Sequence, residues 1–279
     1  MTFRLSAFCA GLAVLFLAVE THGGIVAQWN LDDGSGTTVS SVVGPVTGTF
    51  NGGGNVTWQN GGPPITMVSP NVQPNNSLSF GGAVGDYINF PDNAVLEPGS
   101  ITVAFWAKAS DTNFNNSGRI LLAKYDSFPG SWEFGFATAG NFFFRTFVGT
   151  GDQFAGNTAV DPFTAAEFND GDWHHFAGTH NAFAARSRLY VDGLLIQEVA
   201  QDGGPLNNTT AAMSLGQRLF PGAEGPYQGV IGGPLVIWDN ELTGVEVIAL
   251  VVPEPSAVAL GLCGLGLLVT RRLRAQSGR

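Results

Sequence analysis

The chain has almost no cysteine. Its 279 residues include only two, Cys9 and Cys263, and each lies in an apolar stretch near one end. The part between them therefore has no thiol, no disulfide and no cysteine ligand for a metal ion. A fold without such cross-links depends on its hydrophobic core, and the central part is long enough to form one.

Charge is also scarce. Charged residues make up 12% of the chain, whereas an average protein has about 25%. Acidic residues dominate, with 22 Asp and Glu against 12 Lys and Arg, which gives a formal net charge of −10. Because an acidic surface repels phosphate backbones, nucleic acid is not an expected partner.

The sequence also lacks the motifs of several enzyme classes. There is no Gly-x-Ser-x-Gly, no His-Glu-x-x-His and no phosphate-binding loop. No Glu is followed two positions later by Asp, a spacing that would place the paired carboxylates of a glycoside hydrolase on one strand face. We therefore expect no catalytic activity. A catalytic pair of carboxylates that lie far apart in the sequence, with Glu133 as one of them, stays open as an alternative.

The N-terminal residues have the layout of a secretory signal. Arg4 precedes an apolar stretch from Ala7 to Val19, and the small residues Gly23 and Gly24 follow. This order predicts a signal peptide over residues 1–23 and export of the rest.

The C-terminal residues 251–279 have three parts in sequence. These are Pro253-Glu254-Pro255, the apolar run from Ala257 to Val269, and the basic residues Arg271, Arg272 and Arg274. As a helix the run is about 20 Å long, short for a hydrocarbon core of about 30 Å. The basic residues favour the cytoplasmic side.

This tail resembles the PEP-CTERM sorting signal of bacterial surface proteins. The resemblance implies a short transmembrane helix, transient contact with the inner membrane and recognition by an exosortase-type protease. It also implies release to the cell envelope or extracellular matrix. An ordinary short membrane anchor is the alternative.

Between the two ends, apolar alternation with a period of two predicts an all-β fold. In Ser100 to Lys108, for example, Ile101, Val103 and Phe105 share one face. Asp192-Gly193 separates two such runs and favours a hairpin with a type I′ turn. Roughly ten short strands predict one antiparallel two-sheet sandwich over residues 24–250, with a short helix within Leu242 to Leu250.

Several segments resemble, in order, those of LamG-like, concanavalin A-type jelly-roll domains. They are Trp29-Asn30-Leu31-Asp32-Asp33-Gly34-Ser35-Gly36, Leu78 to Gly82 with Asp86 to Phe90, Ile101 to Lys108, Asp172-Trp173-His174-His175-Phe176-Ala177, Leu189-Tyr190-Val191-Asp192-Gly193, and Gln228 to Thr243. The resemblance implies a jelly-roll sandwich that binds glycans or proteins.

The same resemblance implies a calcium ion at the rim of the sandwich. Its ligands here would be Asp32 or Asp33 in the opening loop, with Asp86 as a further contributor. Where the family has a second acidic residue, this sequence has Gly232 or Gly233. The alternative is that Asp32 and Asp33 only stabilise a glycine-rich turn.

Histidines and aromatic residues are the other candidates. His174 and His175 are adjacent on a predicted strand, so they point to opposite faces and cannot bind one ion together. A structural role is expected for them. Three aromatic residues in polar, loop-like settings are candidate sugar-stacking groups: Phe114, Phe128 and Tyr227. The tryptophans Trp106, Trp132 and Trp238 lie on predicted strands and are expected in the core.

These observations together predict an exported cell-surface or matrix protein that binds polysaccharide or other envelope material without catalysis. Two alternatives stay open. One is a structural or adhesive matrix component without a ligand pocket, and the other is a divergent glycan-active enzyme.

Overall fold

The computed structural model describes residues 24–51, 55–64, 74–109, 118–156 and 163–251. Within these ranges nearly all of the regular secondary structure is β-strand. In chain order the strands are β1 (Ile25–Trp29), β2 (Thr38–Val39), β3 (Ser41–Val43), β4 (Gly48–Asn51), β5 (Val56–Asn60), β6 (Asn76–Gly81), β7 (Tyr87–Phe90), β8 (Ile101–Ala109), β9 (Ile120–Lys124), β10 (Trp132–Phe136), β11 (Phe142–Val148), β12 (Gly151–Ala155), β13 (His174–Asn181), β14 (Arg186–Val191), β15 (Leu194–Ala200), β16 (Met213–Leu215) and β17 (Gln228–Trp238). Two short helices, α1 (Ala165–Phe168) and α2 (Gly244–Ala249), and a 3₁₀ turn (Ala94–Leu96) complete the structure.

The strands form two antiparallel sheets that pack face to face. The first sheet has the order β15-β14-β13-β8-β17-β1-β3, and β6 and β5 extend it from the first half of β17. The second sheet has the order β12-β11-β10-β9-β16-β7-β4-β2. The predicted all-β, two-sheet antiparallel sandwich is confirmed. The predicted signal peptide and C-terminal helix lie outside the described residues.

The core between the sheets is built from alternate residues of the strands. On β8, Ile101, Val103 and Phe105 face this core, as the alternation predicts, while Ala104 faces the opposite side. Aromatic rings fill much of the space, and Phe105 packs edge-on against Phe134 with centroids 5.2 Å apart. Burying one such side chain contributes about 1.5–3 kcal/mol, so a core of this kind can stabilise a fold without disulfides.

Of the three tryptophans predicted in the core, Trp132 lies between the sheets, whereas Trp238 and Trp106 lie on the outer face of the first sheet. Trp106, Trp132 and Trp238 are all buried. The indole N–H of Trp132 donates to the carbonyl oxygen of Leu96 at 2.9 Å, and that of Trp29 donates to Val46 at 2.8 Å. These bonds compensate the cost of removing the indole N–H from water.

The β14–β15 hairpin forms at the predicted turn. Asp192 and Gly193 both have positive φ angles, 51° and 78°, as a type I′ turn requires. The turn lies against α2, because a Cβ atom at Gly193 would lie 2.9 Å from Cγ1 of Ile248.

The outer face of the first sheet is partly covered by the C-terminal segment. α2 begins with a capping box in which Thr243 and Glu246 bond each other's backbone N–H groups. Val247 and Leu250 then pack with Tyr190 and Trp238 of the sheet. The outer face of the second sheet carries a separate apolar cluster of Ile120, Ala123, Tyr125, Phe143 and Phe147.

Candidate functional site

The outer face of the second sheet combines charged and aromatic side chains. Glu133 on β10 lies directly opposite Arg145 on β11 and opposite Ala123 on β9. Residues that face each other across two antiparallel strands project to the same side. Since Trp132 and Phe134 of β10 face the core, Glu133 and Arg145 must project outward.

Four charged side chains meet there, and we call Glu133, Arg145, Asp152 and Arg218 the outer-face cluster. Arg145 contacts Glu133 Oε1 through Nη1 at 3.1 Å and Asp152 Oδ2 through Nη2 at 2.5 Å. Its Nε also donates to Asp152 at 2.7 Å. Arg218 Nε lies 3.3 Å from Glu133 Oε2. Two positive and two negative formal charges therefore balance.

Glu133 is the most deeply buried member of the cluster. Its side chain is 0% exposed. Burial raises the pKa of the Glu133 carboxyl group, and the nearby charges of Arg218 and Arg145 oppose this shift without cancelling it. A carboxyl group held in this way binds a proton more readily than an exposed glutamate does.

Three buried polar atoms of this face are left without a hydrogen bond in the described part of the chain. They are Ser131 Oγ, Glu133 Oε2 and Arg218 Nε. The 3.3 Å ion pair between Arg218 and Glu133 does not have hydrogen-bond geometry. Buried polar atoms are usually paired, so this group of three marks the face as unusual.

Aromatic side chains surround the cluster. The guanidinium of Arg145 lies over the rings of Phe147 and Phe154, at 4.3 and 4.6 Å from their centroids. Arg218 lies over Tyr125 at 5.2 Å. Phe128 packs edge-on against Phe147 and is 54% exposed. The result is an apolar edge with an accessible ring beside buried hydrogen-bonding groups.

The predicted sugar-stacking residues have three different outcomes. Phe128 lies exposed at the edge of the outer-face cluster, and its role in binding stays a prediction. The expectation that Tyr227 is an accessible loop residue is wrong. Its ring is fully buried against Phe80, and its hydroxyl donates to the carbonyl of Lys108 at 2.7 Å. Phe114 lies outside the described residues.

The carboxylate oxygens of the predicted calcium ligands already accept hydrogen bonds from N–H groups. Asp32 Oδ1 accepts from the backbone N–H groups of Asn75 and Asn76 at 2.9 and 2.8 Å, and Asp33 Oδ2 accepts from Ser40 at 3.1 Å. Asp86 accepts from Asn55 and Ala83. In the described ranges no three acidic, histidine or cysteine side chains form a group that could hold a metal ion.

Asp32 and Asp33 line a shallow depression of about 240 Å³ together with Asn30, Leu31, Ser40 and Val42. Calcium needs six to eight oxygen ligands, and this lining offers few that are not already bonded. The arrangement fits turn stabilisation better than a calcium site.

The missing acidic residue of the family pattern has a steric explanation. A side chain at Gly233 would overlap the backbone carbonyl of Asn30. A Cβ atom at Gly232 would lie 2.5 Å from Pro63 and 2.9 Å from the ring of Trp173. No carboxylate fits at either position without a shift of the backbone. Calcium binding at this loop stays a prediction. A melting temperature that rises in millimolar calcium would support it, and one that is the same in calcium and in a chelator would contradict it.

The adjacent histidines lie on opposite faces of β13, as the alternation predicts. His174 Nδ1 lies 2.8 Å from Asp192 and its Nε2 lies 3.2 Å from Asp170. Burial alone would lower the pKa of His174, but hydrogen bonds and charge from Asp192 and Asp170 raise it overall. His175 packs against Trp106 on the other face, and burial lowers its pKa to about 4.

Sequence reasoning missed most of the outer-face cluster. Glu133 was a candidate, but Arg145, Asp152 and Arg218 were not. A usable signal was present, because Glu133 and Arg145 interrupt two of the most aromatic runs in the chain. Their pairing depends on strand register, which the sequence alone does not specify.

The fold and this face together define a β-sandwich of the lectin-like type. Residues 80–248 match the family model Laminin_G_3, described as the concanavalin A-like lectin/glucanases superfamily, and the chain belongs to this family. The resemblance found in the sequence is therefore confirmed at the family level. No curated protein matched the chain.

Solved structures of low sequence identity share the fold. Domain 4 of AbnA, a GH43 extracellular arabinanase from Geobacillus stearothermophilus in complex with arabinotriose, matches with a TM-score of 0.58 and 17% identity. The match covers 82% of this chain and 99% of that one.

Clostridial toxin chains also match. The botulinum neurotoxin serotype G binding domain has a TM-score of 0.56 and 12% identity. That match covers 82% of this chain and 50% of the toxin chain. A structure of botulinum neurotoxin type C, whose cell entry depends on interaction with two ganglioside molecules, has a TM-score of 0.54, 15% identity and coverages of 82% and 50%. The chain thus spans about half of these toxin chains.

The described residues include the short helices α1 and α2. None of their helices is both long enough and apolar enough to cross a bilayer. The C-terminal motif residues Pro253, Glu254, Pro255, Arg271, Arg272 and Arg274 lie outside this part of the chain.

Proposed function

We propose that this protein is an exported bacterial surface or matrix protein that binds polysaccharide, without catalysis, through the outer face of the second sheet. One observation carries the proposal. The exposed ring of Phe128 packs against Phe147, and the guanidinium of Arg145 in the outer-face cluster lies over that same Phe147 ring.

The chemistry of a sugar suits such a face. One side of a pyranose or furanose ring is apolar and packs on an aromatic ring, while its hydroxyl groups both donate and accept hydrogen bonds. Phe128 supplies the aromatic surface. Asp152 and Arg218, whose side chains are 26% and 16% exposed, supply polar groups within the same face.

Membership of the lectin/glucanase family supports this class of ligand. The arabinotriose bound to the matching domain of AbnA points the same way, although the low identity transfers the fold alone. Polysaccharide or other matrix material is therefore the partner that we propose.

The proposed location rests on the sequence of the two ends. The signal-peptide layout of residues 1–23 supports export, and the PEP-CTERM-like tail of residues 251–279 supports transient membrane contact and processing by an exosortase-type protease. Mass spectrometry of the mature protein tests this. We expect a chain that lacks Arg271–Arg274, whereas a mature chain that keeps them would indicate a permanent anchor.

Absence of catalysis is part of the proposal. Glu133 is engaged by two arginine side chains, which favours a fixed, structural carboxylate over one free to transfer a proton. A divergent glycan-active enzyme is the alternative, since Arg145 links Glu133 to a second carboxylate, Asp152.

A glycan array probed with the full chain in mild detergent separates these classes. We expect retention of polysaccharide fragments and no shorter products on prolonged incubation. Release of shorter fragments would support the enzyme. No binding to any glycan would contradict the proposal and favour a structural or adhesive matrix component.

A further inference from the structure

The unpaired atoms of the outer face specify the chemistry of a ligand. Glu133 Oε2 as a carboxylate only accepts hydrogen bonds, Arg218 Nε only donates, and Ser131 Oγ does both. A hydroxyl group can donate to the first and accept from the second at once. A ligand carboxylate only accepts, so it would leave the charged Glu133 oxygen unpaired.

Ser131 belongs to the same face as Glu133. The backbone N–H of Phe147 donates to the carbonyl oxygen of Ser131, and the register of β10 with β11 places these two residues opposite each other. Phe147 belongs to the apolar cluster on the outer face, so Ser131 projects outward two residues before Glu133. The Ser131 hydroxyl and the Glu133 carboxylate therefore lie two residues apart on the same face.

Charge balance points in the same direction. Arg145 is already paired with Glu133 and Asp152, and Arg218 with Glu133, so both cationic side chains of the cluster already have carboxylate partners. A uronate would have to displace one of these carboxylates and approach a chain with a net charge of −10.

The contacts also identify the side chain that can move. Arg145 is held by three contacts of 2.5 to 3.1 Å. Arg218 is held in the cluster by one ion pair of 3.3 Å without hydrogen-bond geometry and by its cation–π contact with Tyr125. Arg218 therefore loses weaker contacts than Arg145 when it turns aside.

Resting on the proposed function, we infer that the outer face selects uncharged polysaccharides, with one sugar hydroxyl inserted between Glu133 and Arg218. Ser131 Oγ hydrogen-bonds the neighbouring part of the same sugar. Arg145 keeps Glu133 in place, and Phe128 stacks on the ring beside it.

The test compares neutral and uronate glycans on the array, followed by affinity measurements at about 20 and 200 mM salt. Arabinan serves as the neutral probe and polygalacturonate as the anionic probe. We expect the bound glycans to be neutral, with affinities that change less than about twofold between the two salt concentrations, since no ion pair forms with the ligand.

Ser131→Ala is the most informative variant, because an unpaired buried hydroxyl adds nothing to the fold. We expect its melting temperature to be unchanged or raised, and its affinity for the neutral glycan to fall about fivefold. Glu133→Gln should weaken binding further. Glu198→Gln, which alters an Arg-paired carboxylate on the first sheet, is the matched control and should bind normally.

The outcomes distinguish a failure of the inference from a failure of the proposed function. Preferential binding of uronates with strong salt dependence, or full affinity in Ser131→Ala, would overturn the inference and leave the proposed function standing. If no glycan of either class binds, the proposed function fails and the inference fails with it.

Discussion

At the scale of single residues, the interior of this protein contains a charged group that is rarely buried. Lys124 is 0% exposed, and its ammonium lies 2.8 Å from Asp92 and 3.2 Å from Glu97. It also donates to the carbonyl oxygens of Thr209 and Ala211. Burial raises the pKa of Glu97, while Thr209 and Lys124 oppose that shift. One side chain thus links β9 to two loops.

Replacing Lys124 by methionine should destabilise the fold by about 3–5 kcal/mol, because Glu97 would be left buried without its partner. Urea unfolding measures the change. Lys108→Met is the control, since the Lys108 ammonium makes a cation–π contact with Trp173 at 5.2 Å, and its loss should cost at most about 1 kcal/mol. Equal losses in the two variants would show that the buried contacts of Lys124 carry no special weight.

His175 should make the fold sensitive to acid. Burial lowers its pKa from 6.5 to about 4, so below pH 6.5 the unfolded chain binds a proton that the folded chain does not. The stabilisation is complete above about pH 6.5 and is lost as the pH falls to about 4, a change of about 3 kcal/mol. His175→Gln should lack this loss when unfolding free energies are measured at pH 7 and pH 4.

His174 should behave in the opposite sense. Its pKa is raised by Asp192 and Asp170 against the effect of burial, so its stabilisation is complete below about pH 6.5 and is lost as the pH rises through the folded-state value. His174→Gln is therefore the internal comparison for His175→Gln. Parallel pH profiles for the wild type and both variants would contradict this account.

At the scale of elements, regular alternation made most strands predictable. The bounds of β8, Ile101–Ala109, lie within one residue of the predicted run Ser100 to Lys108, because apolar residues alternate cleanly there. The hairpin at Asp192-Gly193 was predictable for the same local reason.

β17 shows where local reasoning fails. Apolar alternation indicates a strand only in its last four residues, and Gly229, Gly232, Gly233 and Pro234 disfavour strand structure in isolation. A longer closing strand was implied only by the family resemblance over Gln228 to Thr243. In the fold, β17 is 11 residues long and pairs with β8, β6 and β1. Tertiary pairing overrides the local preference. The outer-face cluster was not predicted for a related reason. Strand register and a loop bring its residues together, and local sequence patterns specify neither.

The glycines of β17 should be intolerant of change. A methyl group at Gly233 would overlap the carbonyl of Asn30, so Gly233→Ala should destabilise the protein by about 1–3 kcal/mol. Gly203→Ala is the matched control, because its methyl group would meet only Ala185 at 3.8 Å. Thermal unfolding of both variants tests this, and a neutral Gly233→Ala would show that the two strands separate easily.

At the scale of the whole molecule, the two faces of the sandwich differ. The first sheet is partly covered by α2 and the residues before it, while the second carries the outer-face cluster. The family and the fold leave the ligand open, since sandwiches of this kind serve many functions. The choice of the second sheet therefore rests on its side chains.

The most direct measurement is the affinity of two phenylalanine variants for the polysaccharide that the full chain binds best. Phe128 is 54% exposed beside the outer-face cluster, whereas Phe183 is 98% exposed in the β13–β14 turn. If the second sheet binds the ligand, Phe128→Ala should weaken binding about tenfold, equivalent to about 1.4 kcal/mol, and Phe183→Ala should leave it unchanged. Equal affinity in Phe128→Ala and the wild type would contradict the account.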